Sequence, residues 1–94
     1  MSVMVVIRFP VAHSAVVEWA SKNGELLAPI IKLFDKHGRI SHRAVTSDME
    51  FLDFDEWPSA EAYAAFKAEA GPYIDKFEEA FGHRSTDTVY KTVE

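Results

Sequence analysis

The chain of 94 residues contains no cysteine, which excludes disulfide bonds, thiolate catalysis and metal sites built on cysteine. Basic residues are few: ten Lys and Arg against fifteen Asp and Glu give a net charge of −5, and no Lys/Arg cluster indicates binding to nucleic acid or to an anionic membrane. No apolar run is long enough to cross a bilayer, and the amino-terminal one is too short for a signal peptide. We therefore expect a soluble, cytoplasmic protein.

Hydrophobic residues are plentiful for so small a protein. They make up 48% of the chain, and aromatic residues make up 13%. A chain of this length forms one domain, here residues 1–94, and buries only about 60–65% of its unfolded surface. Part of the apolar surface is therefore expected to lie in a pocket or at an interface between copies of the chain.

The hydrophobic pattern predicts four strands and two helical regions. Residues 3–9 form an apolar, β-branched run that Pro10 ends, and apolar residues at helical spacing follow, interrupted by Asn23-Gly24. The predicted segments are a strand at 3–9, helix at 11–37, strands at 39–46 and 49–57, helix at 59–81 and a strand at 86–93.

The order βαββαβ predicts an α+β domain of the ferredoxin-like split βαβ class, with a four-stranded antiparallel sheet and helices on one face. The first strand is apolar on both sides, with Val5 and Ile7 on one and Met4 and Val6 on the other. A sheet with one face in water would alternate between apolar and polar residues. We therefore expect a homodimer in which two sheets pack face to face as a dimeric α+β barrel.

Two short segments carry a resemblance to a known family. Residues 55–66 read DEWPSAEAYAAF and resemble the W-x-S-x-E-A-[FY]-x-x-[FY] junction between strand and helix in the dimeric α/β-barrel superfamily. The branch that they resemble is the antibiotic biosynthesis monooxygenase (ABM)-like domain. Residues 38–43, GRISHR, are similar to the G-x-x-x-H-R second strand of small bacterial members.

The resemblance implies a homodimer with a pocket between sheet and helices in each protomer. Some members of the superfamily oxidise polyaromatic substrates with molecular oxygen and without metal or flavin; others degrade haem, isomerise lactones or have no known activity. Trp57 matches the pocket tryptophan at the end of the third strand. Arg8 departs from the pattern, because some oxygenases carry an asparagine on the first strand.

A candidate base lies in the hairpin formed by the second and third predicted strands. If Ser47-Asp48 is a two-residue turn, His42 faces Asp53 across the hairpin, and Asp55 lies on the same face. A carboxylate beside an imidazole prepares a general base for proton abstraction. The alternative is that the same pair is only a cross-strand ion pair worth about 0.2–1 kcal/mol. A slip of one residue would pair Arg43 with Asp53 instead.

The sequence leaves two functions open. In the first, the protein binds an aromatic or polyketide-like molecule and is a cofactor-independent monooxygenase or an isomerase, without a metal. His42 and Asp53 are then catalytic, and the substrate contacts are Trp57, Phe66, Trp19, Asp55 and Arg8. In the second, the protein is a non-catalytic ligand-binding or structural dimer, and the same aromatic residues are simply core. A cavity of about 300 Å³ or more with convergent polar groups would distinguish the first from the second.

Overall fold

The computed structural model describes residues 1–93 and confirms the ferredoxin-like α+β fold. The predicted first helical region is two helices, because Asn23 ends one and begins the next. The elements, in chain order, are β1 Val3–Phe9, α1 His13–Lys22, α2 Gly24–Lys36, β2 Ser41–Thr46, β3 Phe51–Trp57, α3 Ala60–Phe81 and β4 Thr86–Lys91.

Local chemistry sets both ends of α3. The Ser59 hydroxyl accepts a hydrogen bond of 3.0 Å from the backbone N–H of Ala62, which satisfies one of the free donors of the first helical turn. Gly82 ends the helix with φ of 88°, a left-handed conformation that side chains with a Cβ disfavour. Both positions agree with the predicted ends of this helix.

A proline lies inside each of the two longer helices. Pro29 lies inside α2 and Pro72 inside α3, and both helices continue through them. Because proline has no N–H, each helix lacks one hydrogen bond of its backbone ladder. Neither of these helices, nor any other within residues 1–93, has the length and apolarity that a membrane span requires.

The sheet has the strand order β2-β3-β1-β4, with all three neighbouring pairs antiparallel. Alternate residues of the two central strands face the helices and are buried there, which places the core between the sheet and the helices. The buried hydrophobic residues are Val3, Val5, Phe9, Ile30, Leu33, Phe51, Trp57, Tyr63, Phe66, Ala70 and Phe77.

The predicted register of the hairpin formed by β2 and β3 is wrong by two residues. His42 lies directly opposite Asp55, and Asp53 lies opposite Ala44. The cause is the loop, which has four residues rather than two: the Ser47 N–H donates to the Glu50 carbonyl at 2.8 Å, and the Ser47 hydroxyl caps the turn. Because side chains alternate with a period of two, a shift of two residues leaves every side chain on its predicted face.

The face of the sheet away from the helices carries a patch of apolar residues. Met4 is 37% exposed and Tyr90 is 53% exposed, although both lie on strands inside a folded domain. The apolar residues that the pairing places on this outer face are Met4, Val6, Val45, Leu52, Phe54 and Tyr90. An apolar face of this kind is what the predicted dimer would bury, and the dimer stays a prediction.

Candidate functional site

A cavity of about 180 Å³ lies between the inner face of the sheet and the three helices. Its apolar lining is Ile7, Phe9, Val16, Leu27, Ile30, Ile31, Phe34, Phe51, Phe66, Ile74 and Phe77. Its polar lining is Asp53, Asp55, Tyr63, Lys67, Glu78, Ser85 and Asp87. An apolar cavity of about 150 Å³ holds a benzene molecule, so this one has room for a single-ring compound. It is smaller than the 300 Å³ expected of an ordinary ligand pocket.

Three carboxylates lie among apolar residues on the inner face of the sheet. Ile7 at the centre pairs with Asp53 on one side and with Asp87 on the other, so these two carboxylates flank the same residue of β1. Asp55 follows two residues after Asp53 and faces the same way. The polar lining of the cavity is therefore concentrated on its sheet side.

Asp55 is the most unusual of these groups. Its side chain is 1% exposed, and neither of its carboxylate oxygens makes a hydrogen bond within residues 1–93. The pKa of Asp55 is raised to about 7, first because burial leaves the charged form poorly solvated and second because the neighbouring charge of Asp53 repels a second negative charge. The Arg39 guanidinium, with Nη1 at 3.6 Å from Asp55 Oδ1, opposes this increase in pKa.

Arg39 is held beside Asp55 by an aromatic ring. Its guanidinium carbon lies 3.7 Å from the centre of the Phe34 ring, a cation–π contact, and its side chain is only 16% exposed. The Arg39 backbone N–H also donates to the Phe34 carbonyl at 3.0 Å. Arg39 was not predicted as part of a site, because its local sequence does not show that its side chain packs against Phe34 near the end of α2.

The structure brings His42 and Asp53 together but leaves them outside hydrogen-bonding contact. His42 Nδ1 lies 3.5 Å from Asp53 Oδ1. One ring nitrogen of His42 and one carboxylate oxygen from each aspartate, Asp53 and Asp55, lie within 4.8 Å of one another. The His42 side chain is 55% exposed and does not line the cavity, whereas both aspartates do. The catalytic role of the pair stays a prediction, as does the absence of a metal.

A second polar cluster joins α3 to β4. The Tyr63 hydroxyl donates to Asp87 Oδ2 at 2.5 Å, and Lys67 Nζ lies 3.2 Å from the same oxygen. Burial of Tyr63 and its bond to the Asp87 carboxylate raise the pKa of the phenol. Burial alone would raise the pKa of Asp87, but the donors Tyr63 and Lys67 lower it overall. The local sequence of β4 does not predict Asp87 as an inward residue, because its β-branched neighbours Thr86 and Thr88 lie on the other face.

Glu78 has a structural role at the end of α3. It is 5% exposed, and its carboxylate accepts hydrogen bonds from the Ser85 hydroxyl at 2.5 Å and from the Ser85 backbone N–H at 3.2 Å. These bonds hold the connection between α3 and β4. Glu78 therefore already has two bonds from Ser85, unlike Asp55.

The predicted aromatic contacts occupy two layers. Phe66 lines the cavity. Trp57 is 0% exposed and packs behind Phe66, with ring centroids 4.8 Å apart, and its Nε1 makes no hydrogen bond within residues 1–93. Trp19 packs against Phe77 and Phe81 at 5.4 and 5.3 Å. Neither tryptophan is in the lining of the cavity, so both act on its shape through the residues in front of them.

The structure does not bring Arg8 to the cavity. Arg8 lies on the outer face of the sheet, where its Nε is 2.7 Å from Glu50 Oε1. The reason is the alternation of β1: its neighbours Ile7 and Phe9 point inward and line the cavity, so Arg8 must point outward. Among the predicted substrate contacts it is thus the one on the opposite side of the sheet.

Comparison with solved structures confirms the predicted resemblance to the ABM-like fold. SnoaB of Streptomyces nogalater, described as a cofactor-independent oxygenase, superposes with a TM-score of 0.66 at 20% identity, over 99% of this chain and 94% of that chain. The monooxygenase ActVA-Orf6 of Streptomyces coelicolor, solved with nanaomycin D, gives 0.59 at 19% identity over 99% and 90%. Rv0793 of Mycobacterium tuberculosis gives 0.63 at 19% identity over 100% and 97%.

At these identities the likeness establishes the fold. No protein-family model matches the chain, and no curated protein matches it.

Proposed function

We propose that the protein binds a small aromatic compound in its cavity and oxidises it with molecular oxygen, without a cofactor. The observation that carries this proposal is a cavity of about 180 Å³ with aromatic walls and a buried carboxylate, Asp55, whose oxygens have no hydrogen-bond partner within residues 1–93. Such a cavity combines a binding surface for a ring with a group that can accept a proton. The shared fold with a cofactor-independent oxygenase supports the same activity.

The apolar walls orient the ring and leave its acidic hydrogen at the sheet side. Phe34 and Phe66, whose rings stack 5.1 Å apart, form one wall, and Trp57 supports Phe66 from behind. The carboxylates of Asp53 and Asp55, with His42 beside them, lie at the sheet side, and this cluster contains the group that removes the proton. A ligand with an activated methylene group would place that group there.

The reaction balances without an added electron donor. Loss of a proton from the methylene carbon gives a carbanion, which transfers electrons to O2 and forms a carbon–oxygen bond as a peroxide. The proton returns to the peroxide. The second hydrogen then leaves the carbon as a proton while the O–O bond breaks, and this proton and the released hydroxide form water, so CH2 and O2 become C=O and H2O. The carbon is oxidised by four electrons and the dioxygen is reduced by four. An isomerase would use the same proton removal and return the proton to another carbon.

The active form in this proposal is a homodimer. The outer sheet face carries Phe54 and Leu52 beside Met4 and Val6, and a second copy packed on this face would remove their apolar surface from water. Each protomer would then keep its own cavity, since the cavity lies on the other side of the sheet.

One observation favours the alternative, a non-catalytic ligand-binding or structural dimer. The cavity volume of about 180 Å³ is below the range typical of ligand pockets. In that case the aromatic residues are core, and the cavity holds water or a small ligand without turnover. The experiment must therefore test binding and turnover separately.

Binding is tested with a library of single-ring aromatic compounds, followed by NMR shifts of the protein. Val16→Phe fills the cavity, because Val16 lines it, whereas Val17→Phe is the matched control on the exposed side of α1. We expect the first substitution to abolish binding and the second to leave it. Equal binding by both variants would place the ligand elsewhere and contradict the proposal.

Turnover is tested with an oxygen electrode on any compound that binds. If the protein is an oxygenase, we expect it to consume one O2 per molecule of ligand, at a rate that EDTA does not change. Saturable binding without oxygen consumption or isomerisation would establish the non-catalytic alternative.

A further inference from the structure

We propose that Asp53 and Asp55 form a proton-sharing carboxylate pair, and that this pair, rather than His42, is the acid–base group that meets a ligand in the cavity. The two aspartates lie two residues apart on the same face of β3, and both line the cavity. His42 lies on the neighbouring edge strand and is mostly exposed. The catalytic part of this proposal rests on the proposed function; the sharing of the proton does not.

Three unpaired oxygens mark the pair. Both oxygens of Asp55, and Oδ1 of Asp53, are inaccessible to solvent and make no hydrogen bond within residues 1–93. Two ionised carboxylates in such a place would repel each other and lack donors. One proton held between them provides a donor for one oxygen and removes one of the two charges. The two carboxylates offer oxygens within 4.8 Å of each other, and a proton shared between them would account for the missing donors.

The charges that face Asp55 favour a pair of aspartates that holds one proton over a pair that holds two. Arg39, 3.6 Å from Asp55, supplies a single positive charge, which stabilises one ionised carboxylate of the pair. Lys67 is committed to Asp87 at 3.2 Å. The titratable and charged groups around Asp55 from the packed elements are Arg39, His42, Asp53, Tyr63, Lys67 and Asp87. The raised pKa of Asp55, caused first by burial and then by Asp53, is consistent with this arrangement.

The pair can act as base and then as acid in one cycle. Its ionised carboxylate takes the proton from the ligand carbon, which leaves both aspartates protonated and a carbanion in the cavity. After O2 adds to the carbanion, the pair returns that proton to the peroxide. Its ionised carboxylate then takes the second proton from the carbon as the O–O bond breaks, and gives it to the departing hydroxide, which leaves as water. The pair ends the cycle with its one shared proton. His42, 3.5 Å from Asp53 on the solvent side, lets the pair equilibrate with water between cycles.

The sharing of the proton is tested on the ligand-free protein by NMR titration of ¹³C-labelled aspartate carboxyl groups. We expect one carboxyl of the pair to titrate near pH 7 and Asp53→Asn to move the Asp55 titration down by at least one pH unit, because the neighbouring charge is gone. Asp75→Asn is the matched control on the exposed surface and should leave it unchanged. Titration of both carboxyls below pH 5 in the wild type would overturn the proposal.

The catalytic part is tested by oxygen consumption as a function of pH. Asp55→Asn and Asp53→Asn should each lower kcat by about 100-fold or more, since general acid–base groups contribute about that much. His42→Gln should lower it less than tenfold and keep the titration in the pH profile. A loss for His42→Gln as large as that for Asp55→Asn would make His42 the base and overturn this part. A wild type without turnover would refute the proposed function, while the NMR titration would still decide the pair.

Discussion

Replacement of Asp55 by Asn should make the stability of the protein less dependent on pH. Asn has the size of a protonated Asp but carries no charge at any pH. Asp55 is 1% exposed, and burial raises its pKa to about 7 in the folded protein. In the unfolded chain the same group has an ordinary pKa of about 3.9. Asp55 is therefore protonated in both states at pH 3 and ionised in both at pH 8.

The sign and size of the effect follow from proton linkage. Between about pH 4 and pH 7 the folded state holds a proton on Asp55 that the unfolded state has lost, so the free energy of unfolding falls as the pH rises. The difference between the two pKa values corresponds to a loss of about 4 kcal/mol at most above pH 7. Asp55→Asn lacks this loss. It should equal the wild type near pH 3 and exceed it in stability at pH 8.

The measurement is urea denaturation of both proteins at intervals between pH 3 and pH 8. Carboxylates other than Asp53 contribute equally to both, so the difference between the curves isolates the contribution of Asp55 and its interaction with Asp53. Asp75→Asn, at an exposed ion pair with Arg84, is the control and should give a difference that does not vary with pH by more than about 0.5 kcal/mol. A constant difference between wild type and Asp55→Asn across the range would refute the reasoning, because Asp55 would then titrate alike in both states.

Three further predictions concern the assembly, the core and a helix end. Light scattering at micromolar concentration should give twice the chain mass, and Phe54→Glu on the outer sheet face should give a monomer, whereas Tyr73→Glu on exposed α3 surface should not; a monomeric wild type would contradict the barrel. Trp57→Ala should cost about 3–5 kcal/mol in urea denaturation, because the side chain is fully buried, and more than Trp19→Ala; a cost below 1 kcal/mol would contradict its place in the core. Gly82→Ala should lower thermal stability by about 1 kcal/mol, because φ is 88°, and an unchanged melting temperature would contradict the cap.

The order of elements could be predicted because local signals agree with the fold. The hydrophobic period changes from two to 3.6 at Pro58, and Ser59 and Gly82 mark the two ends of α3. The inner and outer faces of the hairpin were also predicted, although its register was not. An error of two residues moves a strand along its partner without turning it over, so His42, Asp53 and Asp55 stayed on one side.

The depth of burial and the long-range contacts could not be predicted. Alternation places Asp53 and Asp55 on the inner face but does not show that Asp55 is buried while Asp53, two residues earlier, is only half-buried. Arg39 reaches Asp55 because it stacks on Phe34, a contact that depends on how α2 ends and β2 begins in space. The loop of four residues is stabilised by hydrogen bonds to the Ser47 hydroxyl. The sequence does not predict this loop length, because Ser47 is equally compatible with a turn of two residues. The site thus depends on tertiary packing, and the fold depends mainly on local pattern.

The two internal prolines give the cavity walls unequal stiffness. The sheet side is tied by hydrogen bonds between three strand pairs, whereas the helices α2 and α3 opposite each lack a backbone hydrogen bond, at Pro29 and Pro72. Lining residues lie on both sides of each proline: Leu27 and Ile30 in α2, and Phe66, Lys67, Ile74 and Phe77 in α3. If a ligand larger than the cavity binds, we therefore expect the helical roof to bend while the carboxylates on the sheet keep their positions.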